Sequence, residues 1–250
     1  MPPRGPKAKD TTMDTPSKKQ KTGDKASRAN GSDPTHKEVI PAQDALPVTR
    51  VQLYNGGQGI VLGFRVPKDY FLATGAGDTN EGGGTDPWET GSYDLALEEA
   101  RIEDFNIVAY TSVVPPEATE VKYEDVKHTF HHGAVLETIM AKMDGVQGDR
   151  ISVGVAIMKV RRKSDGYVIG GWAAEYKGHA KEDGVKKVLH SDLDGMFQRR
   201  YPKDDHEMFD LKYIVKVHEV ENSYGSVLAS ICFCSFIYPI ATASIQADRA

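Results

Sequence analysis

Short apolar runs bounded by turn residues recur along the chain and predict a protein built mainly of β-strands. Residues 151–160 and 167–176 are the clearest pair, because the segment between them contains the turn signal Asp165-Gly166. Residues 211–220 and 226–238 are also rich in β-forming side chains, and the second run is apolar enough to be buried on both faces. The pattern therefore predicts that sheets form the core.

Further strands are predicted at residues 51–54, 60–66 and 70–74. The glycine cluster at residues 56–59 lies between the first two of these strands. Because no helix follows it, the cluster predicts a hairpin turn and is only a weak phosphate-loop signal. Residues 134–141 suit either a helix or a strand.

Two segments place apolar residues at helical spacing. Residues 92–99 begin with Ser92 as the predicted N-cap, and residues 184–200 are stopped by Pro202. The predicted buried stripes are Tyr93, Ala96, Leu97 and Ala100 in the first helix and Val185, Val188, Leu189, Met196 and Phe197 in the second. With a shorter helix near residues 120–128, the pattern predicts an α/β fold: a layered sandwich of mostly antiparallel sheets flanked by helices, of the α-β-β-α type.

The segment at residues 106–116 (NIVAYTSVVPP) carries the candidate chemistry. It begins as a strand and ends at Pro115 and Pro116, which cannot continue a sheet ladder, so Thr111 and Ser112 lie where the strand breaks. If the peptide there is strained, the Ser112 hydroxyl can attack the Thr111 carbonyl carbon and convert the amide into an ester. Elimination would then split the chain and leave a dehydroalanine, which hydrolyses to an N-terminal pyruvoyl group. On spacing alone, the plainer interpretation is that Thr-Ser simply ends a strand.

Residues 103–116 (EDFNIVAYTSVVPP) resemble the self-cleavage segment of the pyruvoyl-dependent arginine decarboxylases, where Asn-Leu-Val precedes Ser-Ser or Thr-Ser and then Ile-Pro-Pro or Leu-Pro-Pro. Residues 93–102 (YDLALEEARI) are similar to the Phe-Asp-x-Ala-Leu-x-x-Ala-Gly-Ile helix of that family. Residues 151–157 (ISVGVAI) and 171–176 (GWAAEY) fit its later strands in the same order. The likeness extends over about residues 70–180 and favours a strand at residues 134–141.

This resemblance implies a self-processing enzyme of polyamine biosynthesis that converts L-arginine to agmatine and CO2 with a covalent pyruvoyl group made from Ser112. Cleavage after Thr111 would give a β chain, residues 1–111, and an α chain, residues 112–250. A single decarboxylase domain would span residues 47–250. The family also implies a homotrimer of cleaved pairs with sites between neighbouring subunits.

The resemblance further assigns roles to five other positions. The family's processing Asn corresponds to Asn106, its proton-donating Glu to Glu175 and its substrate-contacting Asp to Asp94, while Leu97 and Val113 would line the pocket.

The residue types at three of these positions suit the chemistry. Glu175 lies in a run of small and apolar residues, where burial would keep a general acid protonated, and His179 is a weaker alternative acid. The Asn106 amide could polarise a carbonyl or hold an oxyanion, and the Asp94 carboxylate could bind a guanidinium through two hydrogen bonds. Asp94 does not distinguish arginine from lysine, ornithine or histidine. Each residue also has a plain interpretation, as a solvated acid or a polar strand-edge residue.

Composition and charge limit the remaining classes. No apolar run is long enough to span a bilayer and no signal core is visible, so a cytoplasmic location is expected without membrane association.

Residues 1–46 are rich in Pro, Lys, Ser and Gly and predict a disordered basic tail. Residues 1–37 hold nine Lys/Arg and four Asp/Glu, which gives this segment a net charge of +5. Because the whole chain has a net charge of −5, the remaining residues carry −10. The basic segment at residues 18–21 could be a localisation signal, a contact for an anionic polymer or merely solvated, and nucleic acid is not otherwise expected as a partner.

No metal site is predicted. Cys232 and Cys234 are expected to be buried free thiols, and the adjacent His131 and His132 would point in opposite directions in an extended chain. The alternative from a different functional class is a non-catalytic, unprocessed relative that acts as a partner subunit or scaffold.

Overall fold

The computed structural model describes residues 49–238, with gaps at residues 55, 62 and 83. The predicted tail at residues 1–46 lies outside the described residues. The helices are α1 (Ser92–Ala100), α2 (Tyr123–Val126) and α3 (Glu182–Arg200). The strands are β1 (Thr49–Gln52), β2 (Gln58–Val61), β3 (Val66–Pro67), β4 (Asp69–Thr79), β5 (Asn106–Ala109), β6 (Val113–Val114), β7 (Thr119–Glu120), β8 (Val135–Val146), β9 (Arg150–Arg162), β10 (Val168–Gly178), β11 (His206–Glu219), β12 (Tyr224–Phe233) and β13 (Phe236–Ile237).

Two sheets form the body of the fold. One has five strands in the order β5-β8-β12-β4-β7, and the other has four in the order β11-β9-β10-β6. The pairings are antiparallel except for β4 with β7 and β5 with β8. A continuous cluster of buried residues joins β8 and β12 of the first sheet to β9 and β10 of the second, among them Ile139, Val155, Ala173 and Ile231. The two sheets therefore face each other across one apolar core.

The two longer helices cover the outer faces of the sheets. α1 packs on β4 and β12 of the five-stranded sheet, and α3 packs on β9, β10 and β11 of the four-stranded sheet. The mixed α/β architecture, with more sheet than helix, agrees with the predicted sandwich. Within the described residues, no helix combines the length and the apolar character needed to cross a membrane.

Most strand predictions are confirmed with different bounds, but two predicted runs are divided: residues 60–66 between β2 and β3, and residues 226–238 between β12 and β13. β9 and β10 form the predicted antiparallel hairpin, β1 and β2 pair around the glycine cluster, and residues 134–141 contribute to a strand. β12 is buried along nearly its whole length, as expected for a strand covered on both faces.

β4 extends beyond the predicted residues 70–74. Two glycines in the additional part, Gly75 and Gly77, lie against the backbone of α1. A Cβ atom at Gly75 would lie 1.9 Å from the Ala96 carbonyl oxygen, and one at Gly77 would lie 1.9 Å from that of Ser92. The glycines therefore do not end the strand; they allow a helix to approach it.

Two helix predictions are wrong in detail. Ser92 is not the N-cap of α1: Gly91 takes that place, and the buried Ser92 hydroxyl forms a hydrogen bond of 2.8 Å with Ser226 Oγ on β12. In α3, Val188 is 42% exposed, whereas the unpredicted Leu193 is fully buried. The buried residues of α3 recur every four positions, so its contact stripe runs obliquely and leaves Val188 at the flank.

Candidate active site

Thr111 and Ser112 lie where the chain passes from one sheet to the other. The Tyr110 amide still donates to the Thr138 carbonyl of β8, at 2.6 Å, in the five-stranded sheet. Two residues later, the Ser112 carbonyl accepts a hydrogen bond of 2.8 Å from the Ala173 amide of β10, in the four-stranded sheet. The peptide between Thr111 and Ser112 thus belongs to neither ladder, and Thr111 is exposed.

The residues after Ser112 are firmly anchored. Val113 and Val114 form β6, which pairs with Trp172 and Gly171 of β10, and the Val114 side chain is buried in the core between the sheets. Pro115 follows and ends the pairing. If the bond before Ser112 were broken, β6 would still hold the new N-terminus beside β10.

Glu175 lies close to Ser112 through this pairing. It follows Ala173 by two positions on β10, so both side chains are on the same face of the strand, which is the face that meets the inter-sheet core. Although the side chain reaches solvent, partial burial raises the pKa of the Glu175 carboxyl, and Lys177 lowers it to a smaller extent. A carboxyl with this shift retains its proton to higher pH than an ordinary glutamate.

The structure does not bring Asn106 to the Thr111 carbonyl of the same chain. Its amide nitrogen donates to the Gly133 carbonyl at 2.8 Å. Asn106 and Thr111 are five positions apart, which corresponds to roughly 16 Å in extended chain. The Asn106 amide is therefore far from the peptide that follows it within one chain.

Asp94 and Leu97 are also apart from Ser112. Both are on α1, which covers β4 and β12, whereas Thr111 and Ser112 follow β5 at the edge of the five-stranded sheet, with β8 between β5 and β12. Asp94 is exposed, and Leu97 packs on the apolar cluster beneath the helix. One chain therefore assembles Ser112, Val113 and Glu175, and leaves Asp94 and Leu97 on another surface.

The other candidates have ordinary surroundings. His179 Nδ1 is 2.6 Å from the Arg150 carbonyl oxygen, and His132 Nδ1 is 2.8 Å from Asp104 Oδ1. Cys232 is buried and Cys234 is half-buried; both are free thiols, and burial raises their pKa values to about 12 and about 11. Among residues 49–238 outside the gaps, no three His, Cys, Asp or Glu side chains form a group able to hold a metal ion.

An open pocket beside the peptide between Thr111 and Ser112 contains a residue that the sequence did not single out. Its lining residues are Arg65, Val66, Pro67, Tyr110, Thr111, Val113 and Pro115. Arg65 forms an ion pair with Glu137, which is buried in β8. A charged residue within the apolar run at residues 134–141 was the signal that could have drawn attention to Glu137, whereas Arg65 has no comparable local signal.

The family model for pyruvoyl-dependent arginine decarboxylase matches residues 69–237, which include α1, Thr111, Ser112 and Glu175. The chain belongs to this family. Pyruvoyl-dependent arginine decarboxylase AaxB of Chlamydia pneumoniae is 36% identical over 192 residues, which cover 70% of this chain and 94% of that protein. The protein of the same name from Chlamydia abortus is 37% identical over the same shares.

Pyruvoyl-dependent arginine decarboxylase 2 of Archaeoglobus fulgidus is 32% identical over 122 residues, which cover 46% of this chain and 73% of that protein. Membership of the pyruvoyl-dependent arginine decarboxylase family makes this chain a decarboxylase that depends on a covalently bound pyruvoyl group. The residues present fit such a group, because Ser112 has the required hydroxyl next to an unpaired peptide and is anchored from its C-terminal side by β6.

Proposed function

We propose that this protein cuts itself between Thr111 and Ser112 and then decarboxylates L-arginine to agmatine and CO2. The observation that carries the proposal is the hydrogen bond between the Ser112 carbonyl and the Ala173 amide, two residues from Glu175. It aligns the cleavage residue with a carboxyl whose pKa is raised by burial. A group made from Ser112 and a protonated acid would then lie on the same edge of the core.

In this proposal Ser112 and Glu175 have separate tasks. The pyruvoyl group supplies a carbonyl electron sink for the loss of CO2, a role that other decarboxylases give to pyridoxal phosphate. Glu175 holds the proton that the substrate carbon requires after CO2 has left.

Arginine is favoured as the substrate for two reasons. The relatives named above are called arginine decarboxylases. Asp94 presents an exposed carboxylate, which can bind a guanidinium through two parallel hydrogen bonds. Lysine, ornithine and histidine are the competing substrates, because Asp94 would also attract their cationic side chains.

We propose that the complete site forms between neighbouring subunits, in a homotrimer of cleaved pairs. The separation of Asp94 and Leu97 from Ser112 within one chain supports a shared site. Around the cleavage segment, Val108, Val113 and Val135 are 44%, 60% and 59% exposed, which suits a surface that another copy covers. The same arrangement would allow Asn106 of one subunit to approach the Thr111 carbonyl of the next.

Intact mass and turnover test this function together. The purified full chain should appear as two fragments, with the α chain bearing a ketone at position 112, while Ser112→Ala should remain one folded and inactive chain. The processed protein should release CO2 from arginine faster than from lysine, ornithine or histidine. Two fragments from Ser112→Ala would contradict the cleavage mechanism, and an uncut wild-type chain would contradict self-processing altogether.

A further inference from the structure

Arg65 is a cation beside the cleavage peptide to which the proposed reaction has so far given no role. It directly precedes β3 and lines the same open pocket as Thr111 and Val113. These two residues are the sequence neighbours of Ser112. Its side chain is 44% exposed, so the guanidinium keeps contact with the pocket. A group that approaches the Thr111 carbonyl from this pocket therefore meets a positive charge.

The guanidinium of Arg65 is held by two neighbours. It forms an ion pair with Glu137 Oε1, and its carbon lies 4.7 Å from the centre of the Phe236 ring. Glu137 is 6% exposed, and within the described part of the chain its second oxygen, Oε2, is buried without a hydrogen-bond partner. Burying a carboxylate that is only half satisfied is destabilising, so packing alone does not account for its presence here.

Self-cleavage would place negative charge on Thr111 twice. When Ser112 Oγ bonds to the Thr111 carbonyl carbon, the carbonyl oxygen becomes an oxyanion; the bond to the Ser112 nitrogen then breaks, and the hydroxyl proton ends on that nitrogen as the ester forms. Loss of the Ser112 Cα proton next breaks the Cβ–Oγ bond and releases Thr111 as a carboxylate. The dehydroalanine left at position 112 tautomerises, takes up water and loses ammonia to give the pyruvoyl group. Fixed positive groups are most effective where such charge develops.

We propose that Arg65 stabilises the oxyanion and then the carboxylate of Thr111 during self-cleavage, and that Glu137 positions it. Glu137 and Phe236 fix the guanidinium from one side, and a guanidinium has five N–H donors, more than one carboxylate uses. Carboxylates bind arginine through paired hydrogen bonds, so the released Thr111 terminus has a partner ready in the pocket. This inference rests on the proposed self-processing.

The test measures the rate of cleavage after pulse-labelled synthesis of the full chain. Arg65→Met should slow cleavage by about 100-fold, the loss typical of removing one group that stabilises an oxyanion. Arg65→Lys should recover part of the rate, as should guanidinium ions added at millimolar concentration to Arg65→Met.

A matched control and a second variant separate this role from folding. Arg161 also pairs with a glutamate, Glu207, at 2.6 Å, and lies 5.0 Å from the Phe209 ring on the strand pair β9 and β11. Arg161→Met should therefore cleave at the wild-type rate. Combining Arg65→Met with Glu137→Leu removes both charges, so that no buried carboxylate is left unpaired, and this folded double variant should remain slow.

The outcomes distinguish this inference from the proposed function. If Arg65→Met or the double variant cleaves within threefold of a self-cleaving wild type, the role of Arg65 is wrong while self-processing stands. Equal slowing of Arg161→Met, or no rescue by lysine and guanidinium, would also overturn it, because a general loss of stability would explain the effect. An uncut wild-type chain would remove the proposed self-processing and this inference together.

Discussion

The Ala173 amide donates a hydrogen bond of 2.8 Å to the Ser112 carbonyl and joins the segment that contains Thr111 and Ser112 to β10. This contact determines where Ser112 lies relative to Glu175, because Ala173 and Glu175 share one face of the same strand. It also forms on the C-terminal side of the Thr111–Ser112 bond. Cleavage of that bond would leave the contact intact, so Ser112 would keep its place relative to Glu175.

Glu175→Gln should leave self-cleavage intact and reduce decarboxylation. The amide keeps the size of the side chain but cannot supply a proton, and general acid catalysis contributes about 100- to 10,000-fold, so turnover should fall by that order. CO2 release at saturating arginine, with a gel of the same sample, checks both parts. Near-normal turnover would exclude Glu175 as the acid, and His179→Gln would then test the alternative.

The pH dependence of turnover should report the protonation of Glu175. Burial raises the pKa of this carboxyl, so its acid form persists to higher pH than that of an ordinary glutamate. Wild-type turnover should therefore fall as the pH rises through the raised pKa, and the residual activity of Glu175→Gln should lack that decline. A decline of the same shape in both proteins would assign the titration to another group.

Asp94→Asn should weaken arginine binding without affecting self-cleavage. The amide loses the negative charge and one acceptor, and a hydrogen bond to a charged group contributes about 1.5–3 kcal/mol, which corresponds to roughly 10- to 100-fold in KM. Asp183→Asn is the matched control, since Asp183 is an exposed acid in the first turn of α3. Equal kinetics for the two variants would remove Asp94 from the pocket.

Gly77→Ala should destabilise the fold, because the new methyl group would lie 1.9 Å from the Ser92 carbonyl oxygen and α1 would have to move. Overpacking of this kind typically costs about 1–3 kcal/mol, and here the obstacle is backbone. Gly63→Ala is the control, since no heavy atom lies within 4 Å of its Cβ position. Thermal unfolding of both variants gives the comparison, and equal midpoints would show that α1 does not approach β4 so closely in solution.

Removing residues 1–46 should preserve both cleavage and decarboxylation. The tail has few apolar residues, and the family match begins after it, at residue 69. Activity and intact mass of the truncated protein decide the point. A loss of more than about tenfold in turnover would mean that the tail contributes to the site or to assembly.

Local sequence was sufficient for features that depend on near neighbours. Strand periodicity, the turn at Asp165-Gly166 and the strand that breaks before Pro115 could all be predicted from the chain. Their causes lie within a few residues, in side-chain alternation, turn conformation and the missing amide hydrogen of proline. The position of the Ser112 hydroxyl beside the unpaired peptide that follows Thr111 could also be predicted from the local sequence.

Only the tertiary structure decided which faces and which distant residues meet. Helical spacing defined a stripe on α3, but docking onto the sheet selected Leu193 and left Val188 exposed. Arg65 and Glu137 are 72 positions apart, and the sequence around them carries no local signal of their ion pair. The separation of Asp94 from Ser112 likewise follows from strand order, because the order of strands in a sheet depends on pairings between segments far apart in the chain. The sequence by itself thus identified the residues to which we propose roles in cleavage and decarboxylation, and the packing of the two sheets determined which of them one chain brings together.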